Sequence, residues 1–61
     1  MHELDVVKLK KAYHGIPAGT VGTIVLEYDA TFFEVEFIDE SGDTIDVLTV
    51  PVDVLACQES L

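Results

Sequence analysis

Few side chains in this sequence could do chemistry. Two histidines, His2 and His14, one cysteine, Cys57, and the carboxylates Asp39, Glu40, Asp43 and Asp46 are the groups that could hold a metal, move a proton or attack a substrate. Nucleophilic catalysis needs a Ser or Cys beside an imidazole that a third group orients. No such residues fall at local spacing here, and there is no arginine or tryptophan anywhere in the chain. A domain this small also fills its interior with its own side chains and keeps no deep pocket from which water is excluded. The chain is therefore expected not to be an enzyme.

The candidate metal ligands read as ordinary surface groups. His2 lies at the amino terminus and His14 in a loop, and each is expected to be exposed. The carboxylates of Asp39, Glu40, Asp43 and Asp46 crowd one hairpin, but they do not follow the EF-hand spacing of about twelve residues with Gly at the sixth. They are expected to form a solvated patch that protects a sheet edge. Cys57 has no cation nearby in sequence to lower its pKa, and its apolar surroundings make it a small core filler. No metal and no cofactor are expected.

What remains is recognition. Three lysines oppose twelve carboxylates, for a net charge of −9, and the lysines are confined to Lys8, Lys10 and Lys11. Such a field repels phosphate backbones and attracts basic proteins. Apolar residues make up 49% of the chain, more than a domain of 61 residues can hide. Part of that surface is expected to meet a partner, and self-association as a dimer is expected too. Tyr13 and His14, in a long loop, Phe32, turned outward by its position beside Phe33, and the acidic residues Asp39, Glu40, Asp43 and Asp46 are the candidate partner-binding residues. Recognition of PxxP segments is a poor fit, because it wants grouped aromatics including Trp.

The elements that must position these groups are short strands. Leu4 to Leu9 predicts a first strand, with Val7 and Leu9 on one face and Val6 and Lys8 on the other. Residues 10–19 form a loop broken by Gly15, Pro17 and Gly19. Thr20 to Tyr28 predicts a second strand, in which Gly22 marks a bulge or a bend. Phe32 to Asp39 has the clearest alternation, with Phe33, Val35 and Phe37 inward and Glu34 and Glu36 outward. A turn through Gly42 leads to a fourth strand, Thr44 to Val50, with Ile45 and Val47 inward. Residues 51–54 predict a one-turn 3₁₀ helix, Leu55 to Cys57 a closing strand, and residues 58–61 a fraying tail. The expected core is Ile24, Leu26, Phe33, Val35, Phe37, Ile45, Val47 and Leu55. Together these elements make one domain over residues 1–61, an all-β, five-stranded SH3-like barrel with a one-turn 3₁₀ helix before the last strand. The stretch GTVGTIVLEY also looks like the core of a KOW-type fold.

Four motifs narrow the match: Leu4-Asp5-Val6-Val7, Gly22-Thr23-Ile24-Val25, Glu34-Val35-Glu36-Phe37 and Leu48-Thr49-Val50-Pro51. They resemble the bacterial domain of unknown function 4926 over nearly the whole chain, from about Glu3 to Leu55. The resemblance implies a short stand-alone SH3-like domain with no assigned activity.

Three functional expectations stand side by side. The first is a small acidic protein-interaction module that masks or regulates a basic protein. The second is a nucleic-acid or ribosome-associated KOW-like module, in which Lys8, Lys10 and Lys11 with Tyr13 form the only basic-aromatic patch; the overall charge opposes it. The third is an accessory subunit of an enzyme complex. With no basic leader, no apolar run of membrane-spanning length and a single cysteine, the expected location is the cytoplasm.

Overall fold

The computed structural model describes residues 1–59, with the side chain of Glu59 left aside. Five antiparallel strands form one sheet: β1 (Val6–Leu9), β2 (Val21–Glu27), β3 (Phe32–Ile38), β4 (Thr44–Pro51) and β5 (Leu55–Glu59). A single 3₁₀ turn, Val52–Val54, separates β4 from β5. The strand order is β4-β3-β2-β1-β5. β4 and β5 are therefore the two edges, and among the described residues no β4–β5 ladder joins them into a closed barrel. No helix of the described residues is long and apolar enough to cross a membrane. The last two residues of the predicted tail lie outside the described residues; before them, β5 continues as far as Glu59.

The core gathers Val7, Leu9, Ile16, Ile24, Phe33, Val35, Phe37, Val50, Val54 and Leu55, all buried. The predicted inward faces of β1 and β3 are those observed, because strict alternation carries the faces of an uninterrupted strand. Gly22 is buried on the same inner side, in register with Val7 and Phe37. A Cβ there would lie 2.6 Å from Val35 Cγ1, 2.9 Å from the Glu36 carbonyl oxygen and 3.0 Å from Phe37 Cδ1. Its glycine thus lets β2 and β3 approach closely; the bulge of β2 comes later in the strand.

Three of the expected core residues are on the outside: Leu26, Ile45 and Val47 are 41%, 48% and 44% exposed. One cause accounts for all three. β2 pairs β3 in constant register from Val21↔Ile38 to Ile24↔Val35, then slips by one residue at Val25, so that Leu26 stands opposite Glu34. β3 pairs β4 with Ile38↔Thr44, then slips by one at Ile45, so that Phe37 stands opposite Asp46. Residues directly opposite in a ladder share a face, and a slip of one residue exchanges the faces of everything beyond it. Without the bulges, Leu26 would oppose Phe33, Ile45 would oppose Phe37, and Val47 would oppose Val35. With them, Leu48 and Val50 fill the inner face of β4.

The turns are built from local hydrogen bonds. Within the 10–19 loop, Tyr13 and Ile16 exchange two backbone bonds of 2.9 Å, and His14 and Gly15 between them have φ of +48° and +83°. Positive φ at both central residues is the mark of a type I′ hairpin turn. The predicted long loop is therefore a small hairpin pinned to the core by Ile16. At the amino end, the Asp5 N–H donates to the His2 carbonyl at 3.1 Å, with Leu4 held at φ +74° between them. The buried Asp5 carboxylate returns the contact, accepting from the His2 backbone N–H at 2.9 Å. That turn holds Leu4 out of the first strand, which starts at Val6 rather than at Leu4.

Candidate interaction face

The two bulges give the outer side of β2, β3 and β4 an unusual surface. Down the middle strand the outward residues are Phe32, Glu34, Glu36 and Ile38. On one flank stand Val21 and Leu26 of β2, with Leu26 in register with Glu34; on the other flank stands Val47, in register with Glu36, with the bulged Ile45 beside it. Two outward carboxylates thus run between margins that mix apolar side chains with Thr23 and Thr49, which stand opposite Glu36 and Glu34. Thr44 Oγ1 donates to Glu36 Oε2, and Tyr28 Oη donates to Glu34 Oε1 at 3.2 Å. Both carboxylates are partly buried by their neighbours and held in place by a hydroxyl.

At the Ile38 end, the face opens into a shallow depression of about 560 Å³. Val21, Ile38 and Ile45 supply its apolar lining, the Ala18–Thr20 segment one wall, and Asp39 and Glu40 its acidic lip. The segment from Pro17 to Thr20 is held firmly. The Thr20 hydroxyl donates to the Pro17 carbonyl at 2.7 Å and the Gly19 N–H to the Leu9 carbonyl at 2.8 Å.

The candidate residues separate into three places. Asp39 and Glu40 lie at the depression. Asp39 also builds the hairpin: its Oδ1 accepts from the N–H groups of Ser41 and Asp43 at 2.9 and 3.0 Å, and Gly42 completes the turn at φ +87°. This is the three-residue loop with a left-handed glycine that commonly joins two strands. Asp43 takes part through its backbone, accepting from the Asp39 N–H at 2.9 Å, and its side chain is left to solvent.

Tyr13 and Asp46 meet the edge of the sheet at β4. The Tyr13 hydroxyl donates to the Thr49 carbonyl at 3.3 Å, and Asp46 Oδ1 accepts from the Val47 N–H at 2.7 Å. These backbone groups face away from β3, where a further strand would pair, and Pro51 on the same edge has no N–H to offer. Tyr13 is half-buried against the core and is a loop anchor. His14 is exposed in its turn, its ring 4.4 Å from that of Tyr13.

Phe32 is the third place. It is outward, as expected, and 43% exposed, but it stands opposite Pro51 at the far end of β3 from the depression. Cys57 is exposed on β5 and is no core filler; the inner face of that strand is met by Leu55. Edge exposure was hidden in the sequence, because the segment is apolar whichever way it turns.

The other charges complete the picture. Among the described residues no lysine is in a salt bridge, and the one ion-pair geometry is His2 Nδ1 to Glu27 Oε1 at 3.7 Å, between exposed side chains. Among the described residues no group of three His, Cys, Asp or Glu side chains converges in a way that could hold a metal ion. The residues missed at the sequence level are Val21, Ile38 and Ile45. Of these, Val21 alone lies in the uncharged run from Thr20 to Leu26, and Ile45 reaches the outer face through the β4 bulge.

The chain matches no curated protein and no solved structure. It does match, over residues 3–57, the family described as a domain of unknown function, DUF4926. With nearly its whole length covered by that match, the chain belongs to the DUF4926 family.

Proposed function

We propose that this domain is a non-catalytic interaction module that binds a basic protein through the outer face of β2, β3 and β4. The observation that carries the reading is the row of two outward glutamates with an apolar side chain across the ladder from each, Leu26 from Glu34 and Val47 from Glu36. Carboxylates at Glu34 and Glu36 and apolar side chains at Leu26, Ile45 and Val47 alternate across one surface. A basic partner can bury its apolar side chains on the margins and set its cations along the row. The charge supports the same conclusion, since three lysines against twelve carboxylates leave a net −9. It opposes nucleic acid as the ligand, because Lys8, Lys10 and Lys11 do not offset twelve carboxylates. A single cysteine in the sequence suits a reducing compartment, and we assign the protein to the cytoplasm.

The test is comparative capture from native lysate at near-physiological salt. Wild-type protein retains a basic protein; a Leu26→Ser/Val47→Ser variant, altered only at exposed positions, loses it. Retention by both forms, or capture of RNA in place of protein, overturns the reading.

A further inference from the structure

The depression beside Ile45 says more about the partner than the face does. We propose that it receives the side chain of an arginine or lysine on the basic protein. This deepens the reading above and rests on it. Such side chains carry a long apolar stem and a charged head, and they bury the first while keeping the second at a polar rim. The depression matches both halves: Val21, Ile38 and Ile45 line it, and Asp39 and Glu40 stand at its lip.

The manner of approach follows from the edge. A partner segment could add a strand to β4, which is how extended peptides often dock on a sheet. Here the Val47 N–H is taken by Asp46, the Thr49 carbonyl by Tyr13, and Pro51 offers no donor. Main-chain pairing would have to displace both side chains, so the partner engages through side chains on the face. Arginine suits the lip better than lysine. Asp39 Oδ1 already accepts two backbone bonds, which leaves its other oxygen and the Glu40 carboxylate for a planar guanidinium with several donors. The one cation on the margin is Lys8, in register with Val21. It favours a single incoming charge seated at the lip over a run of charges across β1.

The experiment follows amide shifts of the labelled whole chain as a blocked peptide, Ala-Val-Arg-Val-Ala, is added, beside the same peptide with citrulline for arginine. Shifts are expected to concentrate at Val21, Ile38, Glu40 and Ile45. The arginine peptide is expected to bind about threefold tighter than its neutral counterpart, the scale of an exposed ion pair. Glu40→Gln should abolish that preference, and Ile45→Ser should weaken both peptides about tenfold, the scale of one lost apolar contact. Both positions are exposed, and each variant's dispersed spectrum verifies its fold. Three results overturn the proposal: equal binding of the two peptides; shifts spread over Asp29, Glu34 and Asp53 that salt erases; or shifts at the depression on concentrating the protein alone, which would give the site to a second copy. If the peptides fail while Leu26→Ser/Val47→Ser still loses the protein partner, the face stands and only the occupant of the depression is wrong.

Discussion

Gly22→Ala tests the packing logic by its sign. In a strand, glycine is ordinarily worse than alanine by about 0.5–1 kcal/mol, because it loses more backbone freedom on folding. If Gly22 were merely a flexible link, alanine would stabilise the protein. The structure predicts the reverse. The new methyl would meet Val35 Cγ1 at 2.6 Å and Phe37 Cδ1 at 3.0 Å, both fully buried side chains in the centre of the core. It would also meet the Glu36 carbonyl oxygen at 2.9 Å, and that atom moves only if the backbone of β3 moves. Gly22 is locked between β1 and β3, in register with Val7 and Phe37, so β2 cannot retreat without opening a ladder. Overpacking of a filled core costs about 1–3 kcal/mol, which outweighs the entropic gain and leaves a net loss of about 1–2 kcal/mol. For a domain of this size about 1 kcal/mol moves the melting temperature by roughly 4–8 °C, so a fall on the order of 10 °C is expected. Thermal unfolding followed by circular dichroism measures it. A melting temperature unchanged or raised in Gly22→Ala would refute the close approach of β2 to β3.

The bulges predict a contrast on β4: Val50→Thr, inside, should cost about 1–2 kcal/mol, whereas Val47→Thr, outside, should stay within about 0.5 kcal/mol, and denaturant midpoints for the pair decide between the observed register and the unbulged one. Leu4→Gly should stabilise by about 0.5–1 kcal/mol, since the exposed Leu4 sits at φ +74°, where a side chain costs about 1–2 kcal/mol and glycine's own entropy returns only part of it. A loss of stability in that variant would mean the leucine side chain matters more than its backbone. Added sodium chloride should raise the melting temperature. Twelve carboxylates share a body of 28 × 22 × 17 Å, and screening over about 10 Å at 0.1 M weakens their mutual repulsion. Melting temperatures that fall with salt would refute this account of the charge.

Self-association bears on the same surfaces. The uncharged stretch Thr20 to Leu26 belongs to β2, which is paired on both sides, so it cannot add a strand from a second copy. β4 is an edge, but Asp46 occupies the Val47 N–H, Tyr13 the Thr49 carbonyl, and Pro51 has no N–H to give. The β5 edge and packing of the outer faces are the routes to a dimer that remain, and on the faces the two glutamate rows would oppose each other. On that face the opposed charges disfavour a second copy.

Local sequence pattern sets the strands, their order of appearance, the 3₁₀ turn before the last strand, and the inward faces of β1 and β3. Each of these follows from information held within a few residues: alternation in Phe33-Glu34-Val35-Glu36-Phe37, glycine at the Gly42 turn, proline ahead of Val52–Val54. The acidic residues at the depression's lip and the outward Phe32 were legible for the same reason. Tertiary structure alone decided where Val25 and Ile45 would be left unpaired. A bulge is a mismatch between two strands, so neither strand's own alternation records it. Once present, it exchanges faces for every residue beyond. Leu26, Ile45 and Val47, read as core from their spacing, became part of the margins of the outer face, and Leu48 and Val50 fill the inner face of β4. The surface that we assign to a partner exists because of two one-residue slips on either side of β3.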